Sequence, residues 1–128
     1  MILVDTSVVI DYTRGKDLKL QGIPRANSVA ICGVVRAEIL CGARNVADRG
    51  NLLTELAVFQ YLPTPEAMWD VVGDNLAQLR RKGLTVPVPD AIVATLGIDL
   101  DIEVWSRDLH FPAIQLILPA LKLFQEPP

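Results

Sequence analysis

Apolar positions along the chain fall into short dense runs, separated by polar segments broken by glycine and proline. Ile2-Leu3-Val4 is one such run, and it stops abruptly at Asp5. That is how an inner strand of a parallel sheet reads, buried on both faces. Thr6 or Ser7 can cap a following helix through Val8, Val9, Ile10 and Tyr12, which stops near Gly15. Residues 13–27 are polar and interrupted by Gly15, Gly22 and Pro24, which predicts a surface connection with at most a turn of helix. Residues 28–32 predict a second strand, and Gly33 begins a turn into a helix over 34–43.

Two longer helical patterns follow. Over 46–61 Leu52, Leu56 and Phe59 keep helical spacing; over 65–82 Met68, Val72, Leu76 and Leu79 form one stripe, opened by Pro65 and ended by Gly83. Pro87 and Pro89 bracket a short extended piece, and Asp90 opens an apolar helix over 91–96 closed by Gly97. Residues 103–106 and 115–118 predict the last strands, and residues 121–128, ending in two prolines, read as a tail that is loose or helical at its start. Strands alternating with helices give an α/β domain with a mostly parallel sheet covered on both faces. The 128 residues read as one domain, 1–128.

Composition narrows the class. The 51% apolar content supplies a core, and no run approaches the roughly 20 apolar residues that span a bilayer. Met-Ile-Leu-Val-Asp has no basic region and is not expected to be a signal peptide. Cys32 and Cys41, without a CxxC pair, read as reduced core residues. The expectation is a cytoplasmic protein off the membrane. A net charge of −3 argues against nonspecific nucleic-acid binding only if every acid faces solvent as a free charge. With four carboxylates committed to cations, the remaining acids fall one short of the 12 bases, so a phosphate-bearing substrate stays open.

Four acids interrupt or terminate apolar runs. Asp5 ends the first strand, Glu38 lies within Val34-Val35-Arg36-Ala37-Glu38-Ile39-Leu40, Asp90 begins the helix Ala91-Ile92-Val93-Ala94, and Asp108 follows the strand at 103–106. In a parallel sheet the C-terminal strand ends line one edge, where sites form. Carboxylates converging there repel unless a cation sits among them, and a hard divalent ion removes the conflict. The chemistry indicated is metal-assisted hydrolysis of a phosphate ester. Singly, each acid has a structural reading: Asp5 or Asp90 as a helix cap, Glu38 paired with an arginine, Asp108 in a turn.

The stretch Ile2-Leu3-Val4-Asp5-Thr6-Ser7-Val8-Val9-Ile10-Asp11 resembles the opening of a PIN domain. Arg36-Ala37-Glu38-Ile39-Leu40-Cys41-Gly42, Val88-Pro89-Asp90-Ala91-Ile92-Val93-Ala94 and Ser106-Arg107-Asp108-Leu109-His110-Phe111 resemble its later motifs, in order and over nearly the whole chain. Order, spacing and length are similar to the VapC toxins of prokaryotic toxin–antitoxin pairs. The resemblance implies a three-layer α/β/α sandwich and an endoribonuclease dependent on one or two Mg²⁺ or Mn²⁺ ions. It also implies a homodimer and a cognate VapB-type antitoxin. Carried over, Asp5, Glu38, Asp90 and Asp108 are the metal-binding carboxylates, and Thr6 and Ser106 the hydroxyls that orient the first and last of them.

A receiver domain needs a lysine near its last strand, and none occurs between Lys82 and Lys122; a paired-histidine ribonuclease fails because His110 is the only histidine. His110 reads as a loop or substrate-side residue, Asp99 and Asp101 as solvated, and Trp69 and Trp105 as core or dimer-interface residues. The alternative that survives is a non-catalytic PIN-like module binding RNA or protein, against which the complete acid set counts. Arg14, Lys16, Arg44 and Arg107 are the candidate contacts to RNA phosphates, each with a nearby acid as competing partner.

Overall fold

Ile2–Val4 and Val29–Cys32 are buried at every position, as strands covered on both faces must be. In the computed structural model, which describes residues 1–15 and 28–127, the order is β1 (Ile2–Val4), α1 (Thr6–Thr13), β2 (Val29–Cys32), α2 (Gly33–Cys41), α3 (Val46–Leu56), β3 (Gln60–Leu62), α4 (Met68–Arg81), α5 (Val88–Leu100), β4 (Glu103–Trp105), α6 (His110–Ile117) and β5 (Lys122–Leu123). The strands form one sheet in the order β3-β2-β1-β4-β5, parallel throughout. Helices α1, α2 and α3 pack in succession, as do α4, α5 and α6. The result is the three-layer α/β/α sandwich with a parallel centre.

From β1 the chain steps outward through β2 to β3, then returns to the other side of β1 for β4 and β5. The strand order therefore reverses between β1 and β4, and the C-terminal ends of strands at such a reversal are where parallel α/β sheets place their sites. Asp5 follows β1 and Ser106 follows β4, so two residues singled out in the sequence leave the sheet side by side.

Several elements differ from the sequence expectation. The pattern over 46–61 breaks after Leu56, and Gln60–Leu62 instead pairs with β2, Ala30 opposite Gln60. Its exposed edge position leaves no burial signal. Residues 115–118 belong largely to α6, where Phe111 and Ile114 bury one face at helical spacing. The edge strand comes from the tail: Lys122–Leu123 pairs with β4, and the Phe124 N–H donates to the Val104 carbonyl at 2.9 Å. α4 starts at Met68 rather than Pro65, and α5 starts at Val88 rather than Asp90 and runs past Gly97 to Leu100. Gly97 is small because β4 crosses it; a Cβ there would run into Val104 Cγ2. Helix α5 ends at Asp101, left-handed at φ 54°, whose carboxylate meets Lys122 at 2.7 Å.

Cys32 is buried as expected, and burial pushes its thiol pKa up, but Cys41 is exposed at the end of α2. Trp105 is in the core, whereas Trp69 is about half exposed on α4. Among the described residues no helix is long and apolar enough to cross a membrane.

Candidate metal and active site

The register of β1 and β4 sets the site. Val4 is opposite Trp105, and the Asp5 N–H donates to the Trp105 carbonyl at 2.9 Å. Asp5 is the N-cap of α1 and only 5% exposed. Its Oδ2 accepts from Ser7 Oγ at 2.8 Å, Ser106 Oγ at 2.8 Å and the Ser7 N–H at 3.3 Å. Three donors on one oxygen fix the carboxylate and leave Oδ1 for another partner.

A second cluster adjoins it. Asp90 sits in the first turn of α5, where the helix dipole favours an acid. The Asp108 N–H donates to Ser106 Oγ at 3.0 Å, and Asp108 Oδ1 accepts from the His110 N–H at 2.9 Å. That turn brings His110 Nδ1 to 2.6 Å from Asp90 Oδ2 and 3.2 Å from Asp108 Oδ1. One ligand atom each from Asp90, Asp108 and His110 lies within 4.8 Å of the others. Burial raises the Asp90 pKa above the ordinary carboxylate value; the His110 hydrogen bond opposes this, and the charges of Asp5 and Asp108 add to it.

Glu38 takes a different position from the one its apolar surroundings suggest. Val35 and Ile39 form the buried face of α2, and Glu38 stands exposed beside it. Thr6 Oγ1 donates to Glu38 Oε1 at 2.8 Å. Thr6 therefore orients Glu38, and the hydroxyls on Asp5 belong to Ser7 and Ser106. Ser7 was missed in the sequence, although the signal was present: an N-cap carboxylate accepts from the second helical N–H, which brings that residue's own hydroxyl within reach. His110 is the other residue the sequence underrated; the Asp-x-His spacing lets Asp108 take the His110 N–H and turn the ring inward.

Carboxylates gathered with no lysine or arginine between them among the described residues, one with its ionisation opposed by burial and neighbouring charge, suit a hard cation. The donor set is oxygen-rich with one imidazole within reach, so these residues fit a divalent ion. Asp5 connects to the Asp90–Asp108–His110 group through Ser106, and Glu38 connects to Asp5's helix through Thr6.

The candidate phosphate contacts divide. Arg107 is held by carboxylates, Nη1 at 2.9 Å from Asp11 Oδ2 and Nε at 2.7 Å from Glu126 Oε1. Arg44 is 83% exposed and meets Asp48 at 3.4 Å. With Arg14, Glu38 and Asp48 it lines a groove of about 570 Å³ floored by Ile10, Ile39 and Leu52. Lys16 lies outside the described residues.

Residues 2–116 match the PIN domain family. Ribonuclease VapC10 of Mycobacterium tuberculosis is 28% identical over 123 residues, covering 93% of this chain and 92% of the relative. Among solved structures, a chain of VapBC2 from Rickettsia felis, bound to a DNA fragment from their promoter, superposes with a TM-score of 0.81 at 20% identity, over 97% of this chain and 98% of that one. A chain of DNA-bound VapBC from Salmonella typhimurium gives 0.81 at 19% identity, over 96% of each.

Proposed function

The chain belongs to the PIN domain family, and on that premise we propose that it is a metal-dependent endoribonuclease toxin of the VapC kind, acting in the cytoplasm and restrained by a cognate VapB-type antitoxin. The observation that carries this reading is the gathering of Asp5, Asp90 and Asp108 at the strand-order reversal, Ser106 joining Asp5 to Asp108 and His110 joining Asp108 to Asp90. The alternative, a non-catalytic binding module, is disfavoured because all four acids are present.

Asp5, Glu38, Asp90 and Asp108 hold the cation, Mg²⁺ or Mn²⁺, as one ion or two. When bound, such an ion supplies the charge that activates water and steadies the leaving oxygen of an RNA phosphodiester. The protein's own part is positioning. Ser7 and Ser106 fix the Asp5 carboxylate, Thr6 holds Glu38 by a hydrogen bond from its hydroxyl, and His110 sets the separation of Asp90 and Asp108. Arg14 and Arg44 receive the phosphates along the groove beside Glu38, while Arg107 spends its charge on Asp11 and Glu126.

The same groove supports the antitoxin as partner. Its apolar floor suits an amphipathic segment, and a basic residue on that segment would reach the carboxylates and compete with metal or phosphate. A homodimer is part of the same reading, and Val71 on α4 and Leu116 on α6 are exposed apolar side chains available to its interface.

The test is cleavage of structured RNA by the purified chain with Mg²⁺ or Mn²⁺, against EDTA and an identically purified Asp90→Asn protein. Discrete fragments absent from both controls are expected. Fragments that persist with the Asp90→Asn protein would assign the activity to a contaminant, and fragments that persist only in EDTA would overturn the metal dependence.

A further inference from the structure

The turn 106–108 decides both halves of the site, because one hydroxyl, Ser106 Oγ, donates to Asp5 and accepts from the Asp108 N–H. The residues on either side of Ser106 are gripped by a single carboxylate from far along the chain. Glu126 Oε1 accepts from Trp105 Nε1 at 2.8 Å and from Arg107 Nε at 2.7 Å, and Oε2 accepts from Arg107 Nη2 at 3.1 Å. The two bonds to Arg107 form the parallel fork that makes arginine–carboxylate pairs directional as well as strong.

The rest of Arg107 is bound to α1. Its main-chain N–H donates to Ser7 Oγ at 3.0 Å and its Nη1 to Asp11. Ser7 and Asp11 are four residues apart and share one face of the helix. Ser7 also holds Asp5, so the same face serves the carboxylate and the turn. Glu126 itself is anchored by β5, by the Phe124 N–H on Val104, and by the Phe124 ring 5.1 Å from that of Trp105. Arg107 is 26% exposed, and a pair this well formed resists solvent competition better than an ordinary surface pair.

We propose that Glu126 is a positioning residue for the carboxylate site: by holding Trp105 and Arg107 it fixes the 106–108 turn, and with it the Ser106–Asp5 contact and the aim of Asp108. Sites of this kind tolerate about 0.5 Å of error in their donors, and a turn released from Glu126 is free to exceed that. The inference rests on the reading that Asp5 and Asp108 hold a divalent cation.

The experiment is calorimetric titration of the full chain with Mn²⁺, for wild type, Glu126→Ala and Glu126→Gln, with circular dichroism to confirm folding and initial rates of RNA cleavage alongside. Loss of a supporting partner typically weakens metal binding about 10- to 100-fold; Glu126→Ala is expected near the lower figure, with kcat reduced and KM little changed. Glu126→Gln retains an acceptor for Trp105 but not the fork, and is expected in between. A folded Glu126→Ala chain that binds Mn²⁺ as wild type does overturns the positioning role alone. A wild type that takes up no Mn²⁺ overturns the metal site and the proposal with it. Should Glu126→Ala unfold, Trp105→Phe removes one of the two grips and keeps a ring in the core; wild-type Mn²⁺ affinity there overturns the proposal equally.

Discussion

Ser106 and Asp5 are separated by 101 positions in the chain, and their side chains meet at 2.8 Å. The contact joins the ends of two neighbouring strands at the point where strand order reverses, and the same hydroxyl takes the Asp108 N–H. Ser106→Ala removes both bonds and leaves a largely buried carboxylate short of a donor. The cost is about 1–3 kcal/mol of folding stability, and cleavage should fall about 10- to 100-fold. Urea unfolding and initial rates measure the two; wild-type values for both would show that the contact matters to neither. Ser106→Thr keeps the hydroxyl and should retain most of the activity.

Asp90→Asn should abolish cleavage and raise the melting temperature of the metal-free protein. Burial, with the charges of Asp5 and Asp108, lifts the folded-state pKa of Asp90 above its ordinary 3.8. A raised carboxylate pKa means that the folded state holds the proton more tightly, so ionisation costs stability. The cost is absent below the unfolded value, grows as pH rises through the folded value, and is complete above it. The stabilisation by Asp90→Asn should accordingly be larger at neutral pH than in mild acid and vanish near pH 3. Melts across that range check it, and a gain that grew toward acid would contradict the assigned cause.

Gly97→Ala should destabilise by about 1–3 kcal/mol, the usual penalty for adding a methyl group to a packed contact. The added Cβ meets Val104 Cγ2, so Val104→Ala in the same chain should offset part of the loss. Strict additivity of the two changes in denaturant midpoints would place the strain elsewhere.

Arg44→Ala should raise KM for RNA, leave kcat nearly unchanged and flatten the salt dependence of binding by about one phosphate contact. Arg44 is exposed and only loosely paired with Asp48, so stability should hardly change. An unaltered salt slope would remove Arg44 from the substrate path.

Much of the candidate site's arrangement was legible because most of its acids, Glu38 excepted, stand where apolar patterning makes acids costly. Asp5 and Asp90 interrupt runs that the fold buries, and each marks a strand end or helix start. The supporting groups were harder to read. Thr6 and Ser7 are adjacent hydroxyls at a helix start, and sequence alone does not say which turns toward which carboxylate; the helix sends Ser7 back to its own cap and Thr6 across to Glu38. Glu126 carries no local signal, because its partners lie 19 and 21 residues away across a strand pairing. β3 and β5 were missed for a related reason: edge strands of three and two residues are too short to display a period and too exposed to display burial.

The pairing of β1 with β4 also orders events in time. During synthesis Ile2–Val4 and Asp5 are made before their strand partners, and β2 can join them early. The other neighbour, Glu103–Trp105, is made about a hundred residues later, several seconds or more at ordinary rates of synthesis. Until then Asp5 has neither Ser106 to hold it nor Asp90 and Asp108 beside it. The Asp5 carboxylate is therefore left without the hold of Ser106 while about a hundred residues are added, and the candidate site assembles only once β4 has been made.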